Sequence, residues 1–314
     1  MLDIKQLQSE FTLDSLNQDY HEISKFIDFE YFLDLTVDNV ISNRYYLESL
    51  LGYMLVHSLG GSIHMAINTD GIFHVDGYIY QPDHIYQLIQ KNQCKHVCEL
   101  GCGTGFNLKY IRKRDKSIFL HGIDLSSVNC MIGRLRNPGI TIINGDFTST
   151  GYKSNSFDLV YGIETLCYSK SADSIMKEMY RILKPGGIAV IFDGFNDINN
   201  QKNIDEVLSK STLLFQKSMV VEFQTLNNRL SSAKSQGFEI EDSKNLSQYV
   251  IPNLLRLYAI AKKSIHGGVF SKLLYKVSPR FLAGNALAGI FGIYTILYGT
   301  TSYNMLTLRK PSNL

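Results

Sequence analysis

The chain has no tryptophan in 314 residues; its aromatic surface comes from 19 tyrosines and 17 phenylalanines. That lack rules out no function, since these rings suffice to line a site for an apolar ligand. An excess of charge of one sign is also missing. Lys and Arg number 31 against 29 Asp and Glu, a net charge of +2. A nucleic-acid partner calls for a basic surplus, so none is expected. Cysteine is scarce and odd in number: Cys94, Cys98, Cys102, Cys130 and Cys167. This excludes a disulfide framework and points to a reducing, cytoplasmic setting. Met1 is followed by acidic and amide-rich sequence instead of a basic stretch and an apolar core, so no signal peptide is expected. Cys94, Cys98 and Cys102 miss the spacing of an iron–sulfur loop, and Cys98 falls in an apolar run that reads as a buried strand. His57, His64 and His74 are irregularly spaced, with no carboxylate cluster beside them. No metal site is expected.

What the chain does have is 45% hydrophobic residues, enough for a substantial core. Its organising stretch is Val97-Cys98-Glu99-Leu100-Gly101-Cys102-Gly103-Thr104-Gly105-Phe106-Asn107. This reads as a short strand ending in an acid, a glycine turn and a helix start, where free amides would meet a ligand. A dinucleotide fingerprint needs G-x-G-x-x-G, but Phe106 stands where its third glycine belongs. Further apolar runs follow in order. Ile118 to Ile123 ends in Asp124, at the distance where a carboxylate holds a ribose diol. Ile140 to Ile143 leads to Asp146 and Phe147, and Phe157 to Ile163 is a fourth strand. Leu183 to Ile188 gives a turn into a fifth, Ala189 to Phe192.

These features in this order resemble the class I S-adenosylmethionine (SAM)-dependent methyltransferases, whose motif I is an acidic residue and Leu before G-x-G-x-G. The resemblance covers roughly residues 95 to 195. It implies an α/β fold: a seven-stranded, Rossmann-like sheet with strand seven antiparallel and inserted beside strand six. It implies SAM as cofactor, with Glu99, Gly101, Cys102, Gly103, Gly105 and Asn107 facing its methionine and ribose parts. Asp124 and Leu125 would meet the ribose, Asp146 and Phe147 the adenine, with Ile163 and Tyr80 completing the contact.

Around this half lie two others. Residues 1–92 read as a helical lid and lead-in, with helices over 9–26 and 31–59, a hairpin strand at 72–75 and a helix after Pro82. Residues 93–200 are the cofactor-binding half. In 201–314 the pattern predicts one long helix over 203–235, bent near Met219, strand six at 238–241 and strand seven at 303–308. Helices over 252–263 and 281–297 fill a cap spanning 251–300, between strands six and seven. From Phe281 to Leu308 there is no charged side chain, so peripheral membrane contact through 281–297 is expected, without a span. A homo-oligomer is left open.

After strand four the sequence reads Tyr161-Gly162-Ile163-Glu164-Thr165-Leu166-Cys167-Tyr168-Ser169. It resembles the sterol C-methyltransferases, whose motif there is Tyr-Ala-Ile-Glu-Ala-Thr-Cys-His-Ala-Pro. Tyr161, Ile163, Glu164 and Cys167 match; Tyr168 replaces His and Lys170 stands at the Pro. Ser62-Ile63-His64-Met65 is similar to an upstream Ser-Phe-His-Phe element of the same enzymes. The resemblance implies methylation of carbon in an isoprenoid- or sterol-like alkene. Glu164, Tyr161 and Tyr168 would stabilise the cation, and Glu164 or His64 would take its proton. Two alternatives stay open: an N- or O-methyltransferase of natural products with His64 as base, and a non-catalytic SAM-binding scaffold. Three retained carboxylates, Glu99, Asp124 and Asp146, argue against the scaffold. Nucleic-acid methylation lacks its Asn/Asp-Pro-Pro-Tyr/Phe motif after strand four.

Overall fold

The computed structural model describes residues 2–52, 61–169, 171–198, 203–267 and 280–312. Seven strands form one sheet: β1 (His96–Leu100), β2 (Phe119–Asp124), β3 (Thr141–Asn144), β4 (Phe157–Ile163), β5 (Leu183–Asn196), β6 (Glu239–Asn245) and β7 (Thr301–Arg309). Their order is β3-β2-β1-β4-β5-β7-β6. Strands β1 to β5 are parallel, and β7 runs antiparallel between β5 and β6. This is the seven-stranded methyltransferase sheet. Because the order reverses at β1 and β4, a crevice opens beyond their carboxyl ends, where such sheets bind ligands.

Strand parity builds the two faces of the core. Val97, Leu159, Tyr161 and Val190 pack with the N-terminal and cap helices. Cys98, Val160 and Ile191 pack on the opposite face with Ile175, Met176, Met179 and Ile182. Alternate residues point to opposite faces, and a parallel sheet covered on both sides is apolar throughout.

The helices are α1 (Ile4–Glu10), α2 (Leu13–Ile23), α3 (Phe29–Leu33), α4 (Asn39–Gly52), α5 (Tyr80–Lys91), α6 (Phe106–Arg114), α7 (Ser127–Arg136), α8 (Ala172–Ile182), α9 (Glu206–Ser218), α10 (Leu226–Ser235), α11 (Ser247–Ile265) and α12 (Arg280–Leu297). Several expected helices are interrupted. The helix over 9–26 is two, because Thr12 caps α2 by accepting from the Ser15 amide. The helix over 31–59 breaks between α3 and α4, and its part beyond Gly52, with His57, lies outside the described residues, as does Lys170. The helix over 203–235 is α9 and α10, separated by a turn with Val220 at φ 58°. No strand forms at 72–75; turns there lead into a 3-10 helix, Val75–Ile79. Lys184 to Gly187 bulges out of β5, since the register jumps from Phe157↔Leu183 to Leu159↔Ile188.

The cap is α9, α11 and α12. α12 has the length and composition of a membrane-crossing helix, yet 72% of it is buried inside the protein. Its missing charges therefore reflect core packing. A Cβ at Gly289 would lie 3.1 Å from the Leu257 carbonyl, so glycine lets α11 and α12 approach closely. Buried Asp19 on α2 ties the N-terminal helices to this cap. It accepts from Tyr258 OH at 2.9 Å, Tyr294 OH at 3.0 Å and Lys262 Nζ.

Candidate functional site

Beyond the ends of β1, β2, β4 and β5 lies a cavity of about 740 Å³. Its sheet end is built by the loop after β1. Gly101 has φ 67°, and a Cβ there would sit 2.2 Å from Thr165 Cγ2. Only glycine fits both the conformation and the gap. The Gly101 and Cys102 amides donate to the Ile123 carbonyl, which fixes the turn against β2.

Three carboxylates face the cavity from successive strand ends. Glu99 accepts from Asn107 Nδ2 at 2.7 Å and from Tyr161 OH at 3.2 Å. Enclosure pushes its carboxyl up to about 8, against the help of those two donors. Asp124 accepts from the Gly103 amide at 2.8 Å and the Ser126 amide at 2.9 Å, and burial raises its pKa too. Asp146 receives both the amide and the hydroxyl of Thr148 on Oδ1. Leu125, Phe147, Ile163, Gly103 and Cys102 line the same end.

This acceptor-rich set fits one kind of ligand. Among the described residues no Lys or Arg lines the cavity. A ribose diol, an amino group or an ammonium would be held. The residues present fit SAM.

Glu99 also gives a stability test. Its folded pKa lies above the unfolded value near 4.5, so its contribution to stability is fully present below 4.5 and lost as pH rises through about 8. Cofactor-free Glu99→Gln should therefore melt several degrees above wild type at pH 8, with the difference vanishing by pH 4. Calorimetric scans across that range check it; a pH-independent difference would contradict a buried, protonated Glu99.

The other end holds Glu164, directly after β4. Its backbone takes φ 49°, and its amide donates to the Phe192 carbonyl at 2.7 Å. Its Oε1 accepts from the Met65 amide at 2.7 Å and from Tyr303 OH at 2.8 Å. The carboxyl opens to the cavity but is otherwise surrounded by protein, and desolvation raises it to about 8. The same cavity is lined by apolar Phe215, Leu254, Leu257, Ile260, Ala286 and Ile296.

The remaining expected residues separate. Tyr168 lines the cavity, its ring 5.5 Å from that of Tyr46. Tyr161 does not; it is fully buried and points at Glu99. It supports the Glu99 carboxyl and does not line the cavity. Tyr80 opens α5 away from the cavity. The residue beside it, Gln81, reaches inward instead, donating to the Met65 carbonyl at 2.7 Å. His64 lines the cavity, with Nε2 3.1 Å from Asn107 Oδ1. Burial lowers its ring to about 4, so it is neutral and weakly basic. Met65, Asp193 and Tyr303 were missed from sequence. Two of them had a signal: Met65 ends the Ser62-to-Met65 element, and Asp193 follows the apolar run Ala189 to Phe192 inside β5.

Residues 98–191 match the family model described as a methyltransferase domain. Over these residues the chain carries a methyltransferase domain. SAM is the cofactor of this domain. The 24-methylenesterol C-methyltransferase 2 of Arabidopsis thaliana is 25% identical over 60% of this chain and 54% of its own length. The chain thus spans about half of that relative. Two solved structures share the fold. The cyclase SpnF has a TM-score of 0.66 and 21% identity, covering 86% of this chain and 96% of its own. The geranyl diphosphate C-methyltransferase of Streptomyces coelicolor A3(2) has a TM-score of 0.62 and 14% identity, covering 88% and 98%. Beside this domain pack the N-terminal helices and α9, α11 and α12.

Proposed function

We propose that this methyltransferase places a methyl group on carbon of an alkene in a lipophilic, isoprenoid- or sterol-like molecule. One observation carries the reading: a carboxyl, Glu164, fixed by two donors on the wall of a cavity that also presents the apolar side chains of the cap. The sterol C-methyltransferase relative and the geranyl diphosphate C-methyltransferase of similar fold support the substrate class by their own activities.

Glu99, Asp124 and Asp146 would hold SAM, which supplies an electrophilic methyl group when bound. The rest falls to the chain. Phe215, Leu254 and Leu257 align an apolar acceptor and exclude water, so that positioning contributes much of the rate. When an alkene carbon gains the methyl group, its neighbour is left with a positive charge. Glu164 and the Tyr168 face oppose that charge. Loss of an adjacent proton to Glu164 then restores a double bond. Glu164 at about 8 suits a proton acceptor, because a raised pKa makes the ionised form a stronger base.

The N- or O-methyl alternative requires a base beside a hydroxyl or amine, and a neutral His64 engaged with Asn107 serves this poorly. The likeness to a cyclase means that fold by itself does not fix the reaction. Incubation with methyl-labelled SAM and a neutral-lipid extract, followed by mass spectrometry, tests the proposal. Label on carbon of an alkene-derived lipid is expected. Label on oxygen or nitrogen, or none, refutes it. The five thiols, all free and buried, support a cytoplasmic setting.

A further inference from the structure

The two donors of Glu164 come from distant parts of the chain, and one buried side chain holds both. Gln81, near the start of α5, is fully enclosed and does not line the cavity. Its Nε2 donates to the Met65 carbonyl at 2.7 Å and to Tyr303 OH at 3.4 Å. Met65 and Tyr303 in turn donate to Glu164, the first through its amide at 2.7 Å and the second through its hydroxyl at 2.8 Å. The shorter Gln81 bond fixes which way its amide points. A backbone carbonyl only accepts, so the nitrogen must be the end that faces Met65. The other edge of the same Met65–Ala66 peptide is held by Asn253 of α11, also fully enclosed, whose Oδ1 accepts from the Ala66 amide at 3.2 Å. The peptide is thus clamped between α5 and α11.

Two features point beyond packing. Gln81 leaves its own Oε1 without a hydrogen-bond partner among the described residues. An unpaired buried acceptor works against folding, so what this amide contributes is its two hydrogens. The bonds it supports also converge on one oxygen of Glu164. Oε1 takes both the Met65 amide and the Tyr303 hydroxyl, while Oε2 makes no hydrogen bond among the described residues. A carboxylate oxygen has about two lone-pair sites, and those of Oε1 are filled. A proton arriving from the cavity has Oε2 to go to.

We propose that Gln81 is a positioning residue for deprotonation of the methylated intermediate: it holds the Met65 carbonyl and the Tyr303 hydroxyl so that both donors stay on Oε1 and Oε2 is kept for the proton. The proposal rests on the function given above. In that step a C–H bond beside the cationic carbon breaks. Its electron pair closes the new double bond and its proton passes to Oε2, leaving Glu164 neutral.

One test needs no acceptor: infrared titration of the Glu164 carboxyl, its band assigned with Glu164→Gln. Burial raises this carboxyl, and the Met65 and Tyr303 donors oppose the rise, so loosening them should move the midpoint further up. The titratable groups that face Glu164 are Tyr303 of β7, Asp193 of β5, Tyr78 of the 3-10 helix and Cys167 of its own loop; a change at position 81 replaces none of them. Gln81→Met keeps the length and removes both hydrogens, and should raise the midpoint by roughly a unit. Tyr303→Phe, a second variant that leaves the enclosed position 81 intact, should raise it as well.

Turnover with methyl-labelled SAM and a neutral-lipid extract supplies the other test. Gln81→Met should slow labelling roughly 10-fold, what one or two ordinary hydrogen bonds contribute, with SAM affinity unchanged and more product carrying the double bond at unusual positions. In a Glu164→Gln background the same change should cost less than about twofold, since no anion is left to position. A residue that only supports packing would slow both backgrounds alike. An unmoved midpoint in Gln81→Met or in Tyr303→Phe overturns the positioning role, as does an equal loss of rate in the two backgrounds. Those failures would leave label on alkene carbon, and the function, standing. Label on oxygen or nitrogen would instead refute the alkene reading, and deprotonation with it, whatever the midpoint.

Discussion

Glu164→Gln is expected to lose turnover by roughly 10²–10³-fold while binding SAM nearly as wild type does. The substitution keeps the side chain's shape and an oxygen for the Met65 amide and Tyr303 OH, so the wall of the cavity is preserved. What disappears is negative charge at a position where positive charge develops only as the methyl group arrives. Stabilisation aimed at such charge is worth about 2.7–4 kcal/mol. Proton acceptance is lost as well, so a share of product should carry the double bond at unusual positions. The pH dependence has a definite sign. Wild-type turnover should climb as Glu164 ionises, through about 8 or lower when a cation occupies the cavity; the variant should lack this rise. Kinetics with calorimetric SAM affinity measure all of these. Near-normal turnover, with methyl recovered on oxygen or nitrogen, would end the alkene reading and leave the methyltransferase domain untouched.

Asp124→Ala should act on the other ligand. Weakening of SAM binding by about 1.5–3 kcal/mol is expected, the usual worth of hydrogen bonds to a charged group, which is roughly a 10–150-fold rise in Kd. Asp124 holds the Gly103 and Ser126 amides as well as facing the cavity, so part of the loss would come through a loosened glycine loop. Thermal melting of the cofactor-free variant separates the two contributions. A large rise in Kd without a large drop in Tm would mean direct ligation, whereas unchanged affinity in titration calorimetry would exclude Asp124 from the ribose site.

The parts legible in the sequence were those governed by short-range pattern. Glu99, Asp124 and Asp146 each close an apolar run, and a polar residue at the carboxyl end of a buried parallel strand has little place to point except outward to a ligand. Breaks were harder. Thr12 and Val220 interrupt helices without interrupting the 3.6-residue rhythm, because a cap or a single left-handed residue changes direction and leaves hydrophobic spacing intact. Tyr161 matched a motif, yet its side chain turned out to face Glu99; which face a strand residue takes depends on register with its neighbours. α12 shows the same limit. Burial in a protein core and burial in lipid demand the same uncharged composition, and only its packing against α4, α9 and α11 tells them apart.

By itself, then, the sequence determined the sheet, the glycine loop and the carboxylates that answer a SAM-like ligand, since each follows from residues adjacent in the chain. The tertiary structure alone decided the reacting end. Glu164 is joined there to Met65 from the lead-in and Tyr303 from β7, on a cavity that Asp193 of β5 also lines. Those groups come from segments up to 139 residues from Glu164 along the chain. Charge and desolvation act through space, so the pKa values and roles of these side chains exist only once the sheet and cap have closed around them.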